Sequence, residues 1–150
     1  MMRRDRIEEF LKECLFFTVK KLDRILDKLA EESFRSTGLS PTYGFIILAV
    51  HEKPGISQKE LAELLHTAPS TITRFVEKLQ FKGLLYSEQS GKHSLLYVTE
   101  EGVAMLVKIN EAWDDLYRKY ADIVGEDEGD GLAKQIDDIG DQLSKMNRNR

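Results

Sequence analysis

The sequence predicts a mainly α-helical fold with one small β-hairpin. Long stretches of the 150-residue chain repeat apolar residues every three or four positions, which is the spacing of one face of an α-helix. Two short β-prone runs, LLYSE at 84–88 and SLLYVT at 94–99, flank a loop that contains a glycine. A chain of this size buries about two thirds of its surface on folding, so one domain is stable without disulfides or metal ions.

Composition and charge narrow the classes of protein. Hydrophobic residues make up 41% and charged residues 32%, which is typical of a globular helical protein and excludes a disordered one. We find no secretion signal, no membrane-spanning run and a single cysteine, so we expect a cytoplasmic protein that does not bind membranes. The net charge is −4, yet residues 53–98 carry six cations and four acids, a net of +2. This middle region is the expected contact for a polyanion.

The N-terminal third of the chain is predicted to form two helices. Residues 5–35 form the first, because an apolar stripe runs along them at alternating spacings of three and four. The segment STGLSPTYGF ends this helix. Ser40 can cap the second helix and Pro41 can occupy its first position, which predicts a helix over 41–52.

The middle of the chain is predicted to hold two helices joined by a very short turn. Ser57, followed three residues later by Glu60, makes a capping box for a helix over 57–65. The next helix covers 68–82 and ends at Gly83, a residue suited to the left-handed backbone of a helix stop. This is the helix-turn-helix pattern, in which the second helix enters the major groove of DNA, and the hairpin that follows makes it a winged helix.

The second of these two helices has an apolar face and a polar face. Its apolar residues fall at spacings of three, four and seven and are Ile72, Phe75, Val76 and Leu79. The first turn of the polar face is small enough to approach base edges, and the positive end of the helix dipole favours phosphate. Arg74 can make the bidentate pair with guanine, and Lys78 and Lys82 are placed for phosphates.

Two further helices are predicted after the hairpin. Thr99 caps one over 100–124, and the acidic, glycine-rich run GEDEGDG at 125–131 separates it from the last. The last helix carries apolar residues in strict three-four alternation, namely Leu132, Ile136, Ile139, Leu143 and Met146. Neither this stripe nor the wide stripe of the first helix can be buried within so small a monomer, which predicts a homodimer.

Three segments carry a family resemblance: LSPTYGFIILAVHEKPGIS (39–57), QKELAELLHTAPSTITRFVEKLQFKGLLY (58–86) and VTEEG (98–102). With these segments and the order of its helices, the chain resembles the MarR family of transcriptional regulators. The resemblance implies a winged helix-turn-helix lobe at 41–99 and interlocking dimerisation helices at 1–36 and 100–150. It also implies a repressor that binds a pseudo-palindromic operator in double-stranded DNA and is released by a small aromatic or phenolic ligand.

The residues expected to bind DNA are polar residues of the two helices, their turn and the wing. They are Ser57, Gln58, Thr67, Pro69, Ser70, Thr71, Thr73, Arg74, Lys78, Lys92 and His93. The family's wing usually carries an Asp-x-Arg whose arginine enters the minor groove, whereas this tip reads Ser-Gly-Lys-His-Ser at 90–94 and looks short. Because lysine lacks the planar fork of arginine, we expect weaker minor-groove anchoring through Lys92 and His93.

The resemblance implies an effector site in the crevice between the dimer helices and the lobe. The candidate ligand-binding residues are Phe17, Phe34, Tyr43, Ile47, His51 and Trp113. For each of them, a place in the core is the competing interpretation. Cys14 lies near the position where some relatives sense peroxides, but no tyrosine is close in sequence, which favours an inert buried cysteine.

Other chemistry finds little support in the sequence. The three histidines are scattered, no cluster has metal-ligand spacing, and GEDEGDG does not follow the calcium-loop pattern, so we expect no metal and no cofactor. No set of residues indicates an enzyme. Two alternatives stay open: a winged-helix module that binds a protein and has weakened DNA binding, and a redox sensor based on Cys14.

Overall fold

The computed structural model describes residues 6–148, apart from the side chains of residues 126–130. Within this range the chain forms seven α-helices and a three-stranded sheet, with a short 3-10 turn after the second helix. The helices are α1 (Ile7–Glu13), α2 (Leu15–Phe34), α3 (Pro41–Glu52), α4 (Gln58–Leu64), α5 (Pro69–Phe81), α6 (Glu100–Val124) and α7 (Glu126–Arg148). The strands are β1 (Ile56–Ser57), β2 (Leu85–Ser90) and β3 (His93–Val98). The predicted fold class, mainly α with a winged helix-turn-helix, is confirmed.

The first predicted helix is not continuous. Residue 5 lies outside the described residues, and the rest of the predicted span is broken at Cys14, whose backbone is extended with φ −87° and ψ 113°. The Thr18 hydroxyl donates to the carbonyl oxygens of Cys14 (2.9 Å) and Leu15 (3.1 Å). The Thr18 backbone N–H also donates to the Cys14 carbonyl oxygen (2.9 Å), so regular helix bonding begins directly after the break. Apolar periodicity alone does not reveal this break.

The wing is a three-stranded sheet and not a simple hairpin. The strand order is β1-β3-β2, with both pairs antiparallel. Ile56 pairs with Leu96 and Ser57 with Leu95, so Ser57, predicted as a helix cap and as a DNA contact, is also part of the sheet. The sequence analysis missed β1 because two residues are too few for a strand pattern to be visible.

The core lies between α3, α4, α5 and the sheet, and includes the end of α2 and the middle of α6. Its largest fully buried side chains are Phe34, Ile46, Ile47, Leu61, Ile72, Leu79, Leu96 and Ile109. Phe34 packs closely against α3 because Gly44 has no side chain, and a Cβ built there would lie 2.6 Å from the Phe34 ring. The 0% exposure of Ile72, Val76 and Leu79 identifies the inner face of α5.

Thr99 joins the end of α5 to the start of α6. Its hydroxyl donates to the carbonyl oxygen of Gly83 (2.6 Å between the oxygens) and accepts from the backbone N–H of Gly102 (3.1 Å). The predicted cap is therefore present, and Gly83 has the predicted left-handed backbone with φ +76°. These bonds hold the beginning of α6 against the connection between α5 and β2.

Gly102→Ala is expected to lower the free energy of unfolding by about 1–3 kcal/mol, because a Cβ at this position would overlap the Leu84 carbonyl oxygen and the Val98 side chain. Thermal and urea unfolding would measure the change. Gly140→Ala is the matched control, since no atom lies within 4 Å of the corresponding Cβ. We expect the control to raise stability by up to about 1 kcal/mol. Equal unfolding curves for both variants would contradict the packing described for Gly102.

The chain divides into two compact units, Met1–Trp113 and Asp114–Arg150, so the boundary falls inside α6. In the second unit, helices α6 and α7 are separated by Gly125 alone, with φ +87°, and not by the whole acidic run predicted at 125–131. The apolar stripe predicted on the last helix is present, and 41–55% of each of its side chains is exposed. Among the described residues, no helix combines the length and the apolarity needed to cross a bilayer.

Candidate nucleic-acid interface

The turn between α4 and α5 is as short as predicted. His66 adopts a left-handed backbone with φ +49°, and the backbone N–H of Thr67 donates to the Ala62 carbonyl oxygen (3.0 Å). The Thr67 hydroxyl donates to the Leu65 carbonyl oxygen (2.9 Å) and therefore closes the turn. Pro69 follows as the first residue of α5, where the missing N–H of proline costs no helix hydrogen bond. This turn sets the angle between the two helices.

The outer face of α5 carries the polar stripe that the sequence predicts. Ser70, Arg74 and Lys78 are exposed at successive turns of this 13-residue helix. The Arg74 guanidinium lies 5.5 Å from the centre of the Phe75 ring, and Phe75 packs edge-on against Tyr43 with ring centres 5.3 Å apart. A cation over an aromatic face is weakly attracted to it, so the arginine rests on the lobe while its charge stays in water.

Several predicted hydroxyl contacts are already engaged within the chain. Ser57 is buried and caps α4, where its Oγ accepts from the Glu60 backbone N–H (3.1 Å) and donates to the Glu60 carboxylate (3.1 Å). The Thr73 hydroxyl bonds Gln58 Oε1 (2.8 Å) and the Pro69 carbonyl oxygen (3.0 Å). Within the described residues, the Ser70 and Thr71 hydroxyls have no such partner, so these two remain free for a ligand.

The wing ends in a tighter turn than the sequence suggested. Strands β2 and β3 pair up to Ser90 and His93, which leaves only Gly91 and Lys92 in the turn instead of a five-residue loop. The cause is Gly91, whose φ of +61° lets the chain reverse within two residues. Both strands have six residues, so the hairpin is not short, and it presents Lys92 and His93 as exposed residues at its tip.

A phenylalanine that the sequence analysis did not single out extends the polar stripe of α5. Phe81 is 93% exposed and lines an open depression of about 400 Å³ together with Arg74, Glu77, Lys78 and Lys82. Its position seven residues after Arg74 places it on the same face of the helix. The spacing was visible in the sequence, but an aromatic residue near the end of an amphipathic helix is more often part of the core.

Four of the six candidate ligand-binding residues belong to the core of the lobe or pack against it, namely Phe34, Tyr43, Ile47 and Trp113. Phe34 and Ile47 are fully buried, and His51 is exposed one turn beyond Ile47 on α3. Tyr43 packs on Phe75 of the lobe, as described above. Phe17 is half-buried and borders an open cleft of about 360 Å³, with Glu8, Leu11, Lys12, Thr18 and Lys21 around it.

Two of these candidates, Phe34 and Trp113, are in contact. The Trp113 ring stacks on Phe45 with ring centres 4.2 Å apart and meets Phe34 edge-on at 4.6 Å. The Trp113 Nε1 atom is buried and has no hydrogen-bond partner among the described residues. An unmet buried N–H donor costs about 1–3 kcal/mol, so this indole is suited to a partner that brings an acceptor.

The remaining candidates are Cys14 and any group of metal ligands. Cys14 is half-buried at the break between α1 and α2. Over the described residues, no group of three or more His, Cys, Asp or Glu side chains is arranged to hold a metal ion.

The sequence of the lobe matches a known family and several known proteins. Residues 39–92 match the model of the MarR family. Over 82 residues the chain is 30% identical to the uncharacterized HTH-type transcriptional regulator YybA of Bacillus subtilis strain 168, which covers 53% of this chain and 55% of YybA. Over 71 residues it is 41% identical to riboflavin kinase of Pyrococcus furiosus, which covers 47% of this chain and 32% of the kinase. The chain therefore spans about a third to a half of the length of these relatives.

The fold matches solved structures over most of the chain. The repressor CouR bound to a 23-mer DNA duplex superposes with a TM-score of 0.81 at 20% identity, covering 87% of this chain and 94% of CouR. CouR from Rhodococcus jostii RHA1 bound to p-coumaroyl-CoA superposes with a TM-score of 0.77 at 18% identity, covering 86% and 93%. The first of these structures is that of a transcriptional repressor. The chain therefore resembles the MarR family in its matched domain, residues 39–92, and resembles these solved regulators in its fold.

Proposed function

We propose that this protein is a sequence-specific DNA-binding repressor that acts in the cytoplasm as a homodimer on a pseudo-palindromic operator and is released by a small aromatic or phenolic ligand. In this assignment residues 41–99 form the DNA-binding lobe, and residues 1–36 and 100–150 form the dimerisation region. The observation that carries the proposal is the exposed stripe of Ser70, Arg74 and Lys78 on α5, which lies in a lobe that also carries a cationic wing tip.

The chemistry of this stripe fits the major groove. The first turn of α5 is small and lies at the positive end of the helix dipole, and its Ser70 and Thr71 hydroxyls have no intramolecular partner in the described part of the chain. Arg74 lies one turn further along and offers the planar fork that pairs with guanine O6 and N7. Lys78 supplies a charge for a phosphate. Contacts to phosphate position the protein, and contacts to base edges give it specificity.

Homodimerisation is supported by two apolar stripes, one in each compact unit. On α2, five large hydrophobic side chains are 45–74% exposed, and these are Leu15, Phe16, Val19, Leu22 and Ile25. On α7 the stripe described above is 41–55% exposed. Apolar surface of this extent is rarely left in water, and a second copy of the chain is the partner we propose for each stripe.

Release by an aromatic ligand is supported by the contact between Trp113, Phe34 and Phe45. Aromatic faces bind a planar aromatic molecule, and the unpaired Trp113 Nε1 donor suits a phenolic or carboxylate oxygen. CouR, which shares this fold, has been solved both with DNA and with p-coumaroyl-CoA. Release from DNA requires the ligand to bind one spacing of the two lobes more tightly than the other, with a coupling typically of about 1–3 kcal/mol.

The experiment that tests this function is selection of duplex DNA from a random pool with the purified protein, followed by fluorescence anisotropy of the selected sequence over a salt series. We expect a pseudo-palindrome whose half-sites lie about ten base pairs apart. Its affinity should exceed that for random DNA by at least about a thousandfold. A pool without enrichment would reject DNA recognition and leave the protein-binding module as the better assignment.

For the wing, Lys92→Ala is expected to weaken operator binding modestly and to flatten its salt dependence. Each lost phosphate contact reduces the slope of log affinity against log salt by about 0.9, so two wings give a change of about 2. Base preference should stay the same. Lys28→Ala, which removes an exposed cation from α2, is the control and should leave the slope unchanged. An unaltered slope in Lys92→Ala would show that the wing tip does not touch DNA.

A further inference from the structure

Two residues expected to touch DNA independently are bonded to each other. Gln58 is the first residue of α4, and Thr73 lies in the second turn of α5, 15 positions later in sequence. The Thr73 hydroxyl donates to Gln58 Oε1 over 2.8 Å, and both side chains are half-buried. This hydrogen bond joins α4 and α5, the two helices of the helix-turn-helix.

The Thr73 hydroxyl has a single proton, so it can donate only one full hydrogen bond. The hydroxyl also lies 3.0 Å from the Pro69 carbonyl oxygen, which is the acceptor four residues earlier that the helix already serves with a backbone N–H. The contact to Gln58 Oε1 is shorter (2.8 Å), and without the Thr73 hydroxyl this oxygen would have no donor. Phosphate oxygens only accept hydrogen bonds, so Thr73 could contact a phosphate only by giving up both of these partners.

The same hydrogen bond occupies the Thr73 hydroxyl but leaves part of the Gln58 side chain available to DNA. Its amide has an acceptor end and a donor end, and a free glutamine could present either end to DNA. With Oε1 held by Thr73, the two N–H groups of Nε2 are left as its unengaged donors. The side chain is also held in one orientation, so less rotamer entropy is lost when it binds.

We propose that Thr73 is a positioning residue that does not contact DNA itself, and that it orients the Gln58 amide so that Nε2 donates to an acceptor atom of the operator. This inference rests on the proposed function. The acceptor is either a phosphate oxygen or a major-groove atom, namely purine N7, guanine O6 or thymine O4. A phosphate contact gives the same energy on every sequence, whereas a contact to a base edge changes the preference at one operator position.

A double-mutant cycle on the selected operator tests the inference. Gln58→Ala is expected to weaken binding by about five- to 150-fold, the usual effect of losing one hydrogen bond in each of two lobes. Thr73→Val should weaken operator binding by no more than Gln58→Ala does. The double variant should bind the operator as Gln58→Ala alone does. Thr73→Ser keeps the hydroxyl and should restore binding to within about twofold of the wild type. Losses that multiply in the double variant would show that Thr73 contacts DNA by itself and would overturn the proposal.

Two further readouts separate positioning from a general loss of structure. The salt slope should be the same in all four variants, because neither side chain is charged. A second selection with Gln58→Ala decides the acceptor: a relaxed preference at one position in each half-site indicates a base edge, and an unchanged preference indicates phosphate. The control is Thr42→Val on α3, a threonine of the same lobe with no hydroxyl hydrogen bond within the described residues, and it should bind as the wild type does.

The bond itself can be measured without DNA. In the free protein, the Gln58 side-chain amide resonances should shift in Thr73→Val and return in Thr73→Ser. Unchanged resonances would reject the positioning role whatever the DNA measurements show. If the resonances shift but the wild type selects no operator, the proposed function fails while the Thr73–Gln58 bond stands. If an operator is found and the double variant is additive, only the positioning role fails.

Discussion

Arg74→Ala is expected to abolish sequence-specific DNA binding while the fold stays intact. Arg74 is exposed on the outer face of α5, and its guanidinium lies over the ring of its neighbour Phe75, 5.5 Å from the ring centre. Removing it takes away no buried contact, so thermal unfolding should change by less than about 0.5 kcal/mol. The affinity for the selected operator should fall to nearly the level of random DNA, as measured by fluorescence anisotropy.

The size of this effect follows from symmetry. A good bidentate contact between arginine and guanine discriminates by about 1–3 kcal/mol. In a homodimer both copies lose the contact, so the expected penalty is about 2–6 kcal/mol per operator. That range is comparable to the whole difference between specific and non-specific binding, about 4–10 kcal/mol for typical regulators. Weak, salt-sensitive binding to any duplex should survive, because the lysines of α5 and the wing remain.

Two comparison variants separate the shape of the side chain from its charge. Arg74→Lys keeps the charge but loses the fork, so it should recover non-specific binding and salt slope without recovering base preference. Arg24→Ala removes an arginine from the exposed surface of α2, away from the apolar stripe of that helix, and should bind the operator as the wild type does. If wild type and Arg74→Ala bound the operator equally, α5 would not be the recognition helix.

The sequence was most informative where one residue type determines a local backbone geometry. Gly83 ends α5, and Thr99 caps α6, because few other residues satisfy the left-handed stop or the free N–H groups at those positions. The apolar periodicity of α5 likewise predicted which side of that helix faces the core. These signals are local, so the fold class could be predicted from the sequence alone.

What the sequence could not reveal depends on contacts between distant residues. The pairing of β1 with β3 joins positions about forty residues apart, and two residues have no periodicity. Thr73 was interpreted as a DNA contact because its spacing puts it on the polar side of α5, but spacing does not show that Gln58 lies within hydrogen-bond distance. Phe81 was passed over for a similar reason, since exposure depends on what the rest of the chain leaves uncovered.

Ile139→Asp is expected to convert the protein to a monomer and to remove tight operator binding with no change in the lobe. Ile139 is the middle residue of the five on the exposed stripe of α7 and is 46% exposed in the isolated chain. A carboxylate at this position would have to be desolvated against a second copy, which is far more costly than leaving the monomer in water. Sedimentation velocity would measure the change in mass, and anisotropy the loss of affinity.

Ile139→Asp is expected to lose operator affinity because it loses the second lobe, and not because its own lobe changes. Two linked lobes bind a palindrome with an avidity that exceeds one lobe by about 10²–10⁴, and a monomer forfeits this factor while its recognition helix is unchanged. Ile139→Asp should therefore bind a single half-site as weakly as one wild-type lobe does. Lys134→Ala changes the net charge by the same one unit on the opposite face of α7, and it should stay dimeric and bind normally. A dimeric, operator-binding Ile139→Asp protein would show that α7 does not hold the two copies together.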